Sequence, residues 1–305
     1  MAKREKSLSS VVVLLIIIIA TAVNSGLFRD GNKDNYNFKN EEFSELSHKE
    51  NLLCVNFVDV GQGDCTVILL PDGKTIMIDA GENGHEEEVF EFLDRNGIKK
   101  IDYLVATHPH SDHIGGLYEV VCEYEIGEVF MPKTYHSTNT YLDLLEALDE
   151  KNLVINTALV GKTMIDTDVL KAYFISPYNL EYDNLNNYSA VLKLEYFDKS
   201  FLFCADIEKE IEEALLGDGA DVDCDVLKVA HHGSSTSSTK QFLKEASPEI
   251  SVISCGKNND YGHPHRESLQ TVTKNSETIL RTDEMGNIRI ITDGYDIAYD
   301  VEIDG

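Results

Sequence analysis

Short apolar runs recur along the chain, and most stop at a glycine, a proline or a charged residue. Leu52 to Val60 has a strand pattern and ends in Gly61-Gln62-Gly63-Asp64. Cys65 to Leu70 and Thr75 to Asp79 flank Pro71-Asp72-Gly73-Lys74, a hairpin signal. Glu86 to Arg95 spaces Val89, Phe92 and Leu93 as a helix does, and Asn96-Gly97 supplies the stop. Ile101 to Ala106 reads as a buried strand that delivers the chain to His108. Ile114 to Tyr124 and Thr140 to Asp149 read as helices, and Leu153 to Pro177 as several strands. Ala190 to Tyr196 and Phe201 to Cys204 are strands, followed by a helix over Ile207 to Leu216 and a strand over Val226 to Ala230. Helices at Lys240 to Glu245 and Glu267 to Lys274 then alternate with strands at Ile250 to Ser254, Thr278 to Arg281 and Ile288 to Thr292. Hairpins first and alternation later predict a layered α/β architecture, with helices covering a mixed sheet.

The first 28 residues follow a different pattern. Lys3, Arg4 and Lys6 precede an unbroken apolar run from Val11 to Ala20, and Ala20-Thr21-Ala22 resembles a small-residue cleavage site. This is the layout of a secretory signal. No charge occurs between Lys6 and Arg29, so the same span is long enough to serve as an uncleaved membrane anchor. Both readings keep the basic end inside and export the body, which is expected to be secreted or anchored to the cell membrane. Residues 29–51 are polar and read as a linker, leaving 52–305, enough for one large α/β domain with a proper core or for two small ones.

Composition narrows the function. The 305 residues hold 26 Lys and Arg against 54 Asp and Glu, a formal charge of −28. That excludes a broad basic footprint for nucleic acid, but not a local site where metal ions supply the positive charge. None of the six cysteines forms a CxxC pair. Cys65 and Cys204 lie inside apolar runs and are expected as buried free thiols.

The chemistry concentrates at Thr107 to Gly116, THPHSDHIGG, which holds three of the chain's ten histidines. His108 and His110 are two apart, so in an extended segment their side chains share a face. Asp112 and His113 follow where a helix begins, and Gly115 and Gly116 are read as leaving room for backbone near a metal. Imidazole and carboxylate together suit Zn²⁺ and similar ions. Asp79, Asp206 and the pair His231 and His232 also follow short apolar runs. Strand ends on one edge of a sheet are where α/β folds build sites.

In this order the motifs resemble the metallo-β-lactamase fold superfamily, and most closely the extracellular hydrolase domain of ComEC-type DNA-uptake (competence) proteins. The carrying segments are FVDVGQGDC, IMIDAG, ATHPHSDHIGG, NNYSAVLKLEY, FCADIE, VLKVAHHGSSTSS, YGHPH and TILRTDEMG. The resemblance implies a four-layer αββα sandwich with two divalent metal ions, Zn²⁺ or Mn²⁺, between the sheets. It implies that His108 and His110 hold the first ion, that Asp112, His113 and one of His231 or His232 hold the second, and that Asp206 bridges them. Asp79 would support the ligands by hydrogen bonds. Most superfamily members carry another histidine where this chain has Leu185-Asn186-Asn187-Tyr188-Ser189. Asn186 or Asn187 falls there instead, a harder oxygen donor that tolerates Mn²⁺.

The implied chemistry is hydrolysis of a phosphodiester, DNA included, with metal-activated water oriented by Asp112 and Asp206. His263 and His265 are expected to touch substrate or protonate the leaving group, or else to cap a turn. Ser234 and Ser235 either bind a phosphate or cap the following helix. The segment Asp218 to Asp225 resembles a calcium loop only in composition, and the serine run lacks a nucleophile elbow. Gly61-Gln62-Gly63 is too short for a dinucleotide loop and has no assigned role. The expectation is a stand-alone exported hydrolase. The alternatives are a non-catalytic binding module on the same fold and a hydrolase of another ester, thioester or lactone.

Overall fold

The computed structural model describes residues 41–178 and 181–302. The expected leader and the first part of the expected linker lie outside them. Among the described residues no helix is long and apolar enough to cross a membrane.

Two sheets form the centre. The first contains β1 (Leu53–Phe57), β2 (Thr66–Leu69), β3 (Thr75–Ile78), β4 (Lys100–Val105), β5 (Glu125–Met131), β6 (Ile155–Thr157), β14 (Asn287–Thr292) and β15 (Ile297–Glu302), in the order β15-β14-β1-β2-β3-β4-β5-β6. The second contains β7 (Thr163–Asp166), β8 (Leu170–Ser176), β9 (Val191–Tyr196), β10 (Lys199–Phe203), β11 (Val226–Lys228), β12 (Ile250–Ile253) and β13 (Thr278–Arg281), in the order β13-β12-β11-β10-β9-β8-β7. The predicted hairpin is β2–β3, antiparallel, with Thr66 opposite Ile78.

Alternation along each strand explains why the sheets stack. Leu53, Val55 and Phe57 of β1 and Phe201 and Phe203 of β10 point into one shared core. The intervening residues face outward under helices. On the first sheet, Val67, Met77 and Leu104 meet α2 (Glu86–Arg95), α4 (Leu117–Glu123) and α5 (Asn139–Glu150). On the second, Leu202, Leu227 and Ile253 meet α6 (Lys209–Gly217), α7 (Lys240–Ala246) and α8 (Arg266–Asn275). The result is the four-layer αββα sandwich expected from the motifs. Each buried Leu or Phe contributes about 2 kcal/mol.

Four features differ from the pattern reading. The segment expected as linker ends in a helix, α1 (Glu41–Leu46), whose Phe43 and Leu46 pack on Leu52, Ile291 and Ala298. Strands β5 and β15 were not predicted, because Glu125, Glu128, Asp300 and Glu302 interrupt their apolar positions. The helix expected over Ile114 to Tyr124 is two, α3 (Ser111–Ile114) and α4. The break falls at Gly115 and Gly116, and their role is packing against the preceding loop. A Cβ on Gly115 would lie 2.2 Å from the backbone nitrogen of Asn83, and one on Gly116 2.6 Å from the carbonyl of Ala80.

All six cysteines are free; Cys65 and Cys204 are buried as expected, and only Cys122 is exposed. The remaining short helix, α9 (Thr282–Met285), links β13 to β14. Strands β3, β4 and β5 run parallel, as do β10, β11 and β12. Their carboxyl ends therefore meet at one edge of both sheets.

Candidate metal centre

Each predicted residue reaches this edge from a strand end. Asp79 follows β3, His108 and His110 follow β4, and Asp112 and His113 lie on α3. Asp206 follows β10, and His231 and His232 follow β11. Asp79, His231 and His232 take left-handed backbone angles, with φ of 57°, 51° and 53°. Such angles are strained for residues with a Cβ and mark places where surrounding structure dictates the backbone.

The ligand atoms converge on Asp206. His113 Nε2 lies 3.2 Å and His232 Nε2 3.5 Å from its Oδ1. His231 Nε2 lies 3.6 Å and His108 Nε2 3.9 Å from its Oδ2. Asp112 Oδ2 sits 3.2 Å from His232 Nε2 and 4.0 Å from His113 Nε2. His110 Nδ1 is 3.1 Å from His108 Nε2. Both His231 and His232 therefore approach Asp206, from opposite sides.

The far nitrogens decide the tautomers. Thr107 donates to both Asp79 oxygens, from N at 2.8 Å and Oγ1 at 2.6 Å. His113 Nδ1 donates to Asp79 Oδ2 at 2.7 Å. His232 Nδ1 faces two acceptors, Ser254 O at 3.0 Å and Asp64 Oδ1 at 3.3 Å. His108 Nδ1 lies 3.2 Å from Thr107 Oγ1, whose proton is engaged with Asp79, so His108 is the donor. In each ring Nε2 is left to face the cluster, the arrangement a metal ligand needs.

Charge follows from this packing. Burial works against ionised His113, but Asp206, Asp79 and Asp112 hold it well above the ordinary imidazole value. Burial likewise opposes His232, yet Asp206 and then Asp64 raise it to about 10. Asp206 stays well below the usual carboxylate range despite burial, because His113 and His232 face it. His108 is pushed well down by burial and then by His113.

The donor set fits divalent cations. His113 Nε2, His232 Nε2 and Asp206 Oδ1 are buried with no hydrogen-bond partner among the described residues. Together with Asp112 their ligand atoms lie within 4.8 Å of one another. A buried polar atom without a partner is costly, and an ion satisfies all of these at once.

Asn186 joins the cluster and Asn187 does not. Asn186 Nδ2 lies 3.4 Å from His231 Nε2, and its Oδ1 is buried without a partner. Asn187 instead accepts from Glu208 N and donates to Glu210, tying its turn to α6. His263 lines the cavity above the cluster, near-parallel to His232 at a centroid distance of 6.1 Å, with its Nδ1 unpartnered.

His265, Ser234 and Ser235 are not among the cavity's lining residues. His265 Nδ1 accepts from Ser235 N at 2.9 Å and its Nε2 donates to Tyr261 O, so both ring nitrogens are spent on the loop. Ser234 is paired with Thr236. The turn-capping alternative fits His265, but the helix after the serines is capped by Thr239, which accepts from Phe242 N, and not by Ser234 or Ser235.

Several site residues were not predicted. The cavity, about 310 Å³, is also lined by Gln62, His136, Thr138 and Tyr261. A larger groove of about 560 Å³ between Phe90 and Tyr124 contains none of the ligands. Behind His232, Lys228 Nζ makes 2.8 Å contacts to both oxygens of Asp64, and both residues are buried. The backbone N–H of Asp64 donates to Asp112 O at 3.0 Å. A Cβ on Gly63, at φ 142°, would lie 2.3 Å from that same carbonyl, so glycine is required there. A lysine inside an apolar run was the available signal for the ion pair, since such a charge needs a buried partner.

Comparison with known proteins places this geometry. Residues 58–176 match the family model of the metallo-beta-lactamase superfamily. The chain is 32% identical over 252 residues to ComE operon protein 3 of Bacillus subtilis (strain 168), covering 77% of this chain and 32% of that protein. It is 27% identical over 241 residues to Recombination protein 2 of Haemophilus influenzae, covering 77% of this chain and 28% of that protein. The chain thus spans about a third of the length of these curated relatives. Among solved structures, Tm1679, described as a metal-dependent hydrolase of the beta-lactamase superfamily, superposes with a TM-score of 0.51 at 12% identity. That match covers 75% of this chain and 95% of the other, and it shows the fold.

Proposed function

We infer that this chain, which carries a metallo-beta-lactamase superfamily domain of the metal-dependent hydrolase fold and is related to competence proteins, is a phosphodiesterase acting on DNA or a chemically similar phosphodiester. The observation that carries the reading is the set of unpartnered buried atoms, His113 Nε2, His232 Nε2 and Asp206 Oδ1, beside an open cavity that Asp112, Asp206 and His232 line. Asp112, His113, Asp206 and His232 would hold one ion, and His108, His110, His231, Asn186 and Asp206 the other. When bound, two divalent ions supply Lewis-acid polarisation of a phosphoryl group and acidify a water.

The chain's own residues do the rest. Asp112 and Asp206 accept hydrogen bonds from the attacking water and aim it. His263, lowered to about 4 by burial and then by His232, is neutral at pH 7. It serves by hydrogen-bonding substrate, since an imidazolium is not available to protonate a leaving group. Tyr261 stands 65% exposed at the rim, with its ring 5.6 Å from His263 and 19° from parallel. An exposed aromatic face beside a phosphoryl site suits stacking with a base. The net charge of −28 disfavours long polyanionic tracks, so a chain end or a short substrate fits better.

Lys3, Arg4, Lys6 and the apolar run after them support export of the domain. The functional test uses the whole chain loaded with Mn²⁺ or Zn²⁺, with bis-p-nitrophenyl phosphate and linear DNA as substrates. Metal-dependent cleavage, reduced at least ~10³-fold by Asp112→Ala, is expected. A protein that binds no stoichiometric metal and cleaves neither substrate would sink the reading in favour of a binding module.

A further inference from the structure

The turn Gly61-Gln62-Gly63-Asp64 is only half explained by the ion pair behind His232. Gln62 lines the cavity beside Asp112, Asp206 and His232. Its side-chain amide is oriented by one bond: Gly256 N donates to Gln62 Oε1 at 3.1 Å. A backbone N–H can only donate, so the oxygen end must face Gly256 and the nitrogen end must face the other way. That nitrogen, Nε2, is buried and has no hydrogen-bond partner among the described residues. Its two N–H groups are unmet beside a cavity lined by the candidate ligands Asp112, Asp206 and His232 and by the polar groups of Ser111, His136, Thr138 and Tyr261.

The amide is also held rigidly. Gly61 N donates to Asp59 Oδ1 at 3.1 Å, and Asp64 N donates to Asp112 O at 3.0 Å. The turn that carries Gln62 is thus closed on one side by Asp59 and tied on the other to the backbone that carries Asp112. A neutral donor in such a place has a specific use. It can meet an oxygen that gains negative charge during attack, without displacing a cation or neutralising a carboxylate.

We propose that Gln62 Nε2 donates a hydrogen bond to a non-bridging phosphoryl oxygen of the substrate, a direct contact that strengthens as charge builds there. The proposal rests on the phosphodiesterase reading. Two substitutions separate the parts of the argument. Gln62→Glu keeps an oxygen toward Gly256 and turns the cavity-facing donor into an anion. Gln62→Met removes the donor without adding charge.

The whole metal-loaded chain is assayed on bis-p-nitrophenyl phosphate, with metal content and melting temperature measured beside it. Both variants are expected to keep their metal and lose about 10²- to 10³-fold in kcat/KM, the size of effect seen when one oxyanion donor is removed. Variants within about threefold of the wild type would overturn the Gln62 assignment and leave the phosphodiesterase reading standing. If the wild type cleaves no phosphodiester, that reading fails, and Gln62 is judged by calorimetric binding of inorganic phosphate to the metal-loaded protein. Weaker phosphate binding in Gln62→Met would then support the donor. Unchanged binding, or none to the wild type, would overturn it.

Discussion

On one side of Asp206, His113 and His232 approach Oδ1, and each has its far nitrogen held by a buried carboxylate, Asp79 and Asp64. Behind Asp64 stands Lys228, and behind Asp79 stands Thr107. On the other side, His231 and His108 approach Oδ2, while His110 is half-buried and its nearest polar contact is His108 itself. Asn186 completes that side with an amide, and His231 Nδ1 meets only the Thr236 hydroxyl and the half-exposed Glu208. The difference teaches what the sandwich contributes. Both imidazoles of the first side are held from behind by buried carboxylates, so they are positioned before any ion arrives. The second presents more of its ligands to the cavity, His110, Asn186 and His231 against Asp112 and His232, and must gather them on binding. Preorganisation of this kind separates the affinities of two otherwise similar positions.

The largest effect should come from breaking the brace itself. Lys228→Met leaves Asp64 charged and buried without its cation, which costs about 3–5 kcal/mol of stability. The pH dependence has a definite sign. Burial alone would raise the Asp64 carboxyl, but Lys228 and then His232 bring it down to about 2. A depressed carboxyl stabilises the fold above its unfolded value near ~3.9, and that stability is lost as pH falls toward the folded value. In Lys228→Met the carboxyl loses that depression, so the deficit in melting temperature should be largest near neutral pH and shrink as acid protonates Asp64. A variant that melts like the parent from neutral pH down to about 3 would show that the ion pair does not brace the site.

A smaller and more local effect is expected from Asp79→Asn. The substitution keeps an acceptor oxygen and removes the charge that fixes His113. The braced position should lose about 10- to 100-fold in metal affinity, and the open position markedly less. A Mn²⁺ titration followed by calorimetry resolves the two. Equal losses at both would mean that the cluster binds its ions as one unit, and the contrast between the two sides would be wrong.

The candidate ligands of both sides were easier to read from sequence than the braces behind them. His108, His110, Asp112 and His113 stand together in one short motif, and Asp206, His231 and His232 each follow an apolar run. Strand-end position alone located them. The sandwich was legible for the same reason: strands buried on both faces, such as those around Phe57 and Phe203, are continuous apolar runs. What escaped depends on contacts between segments far apart in the chain. Asp64 and Lys228 are 164 positions apart and meet only because the sheets stack. Gln62 gains a direction only from Gly256, and His265 is tied to its loop only because Ser235 and Tyr261 meet its ring nitrogens. Strand β5 was hidden by Glu125 and Glu128, which a local pattern counts as breaks although Val129, Phe130 and Met131 are buried.

The smallest predicted effect would sharpen the contrast by repairing the open side. Asn186 offers one unpartnered oxygen beside His231. Asn186→His would place an imidazole where most superfamily members are expected to have one, adding a softer nitrogen donor. Nitrogen donors favour Zn²⁺ over Mn²⁺ more than an amide oxygen does. The variant should bind its second Zn²⁺ about tenfold more tightly, a gain of about 1.4 kcal/mol, with little change for the first. Its preference for Mn²⁺ at the open position should fall. Competitive titration with a chelating indicator, run once with each metal, reads both quantities. If the added imidazole tightens Mn²⁺ and Zn²⁺ equally, donor chemistry is not what distinguishes the open side. Its weakness would then lie in the freedom of His110, whose Nδ1 meets another candidate ligand, His108, rather than a bracing carboxylate.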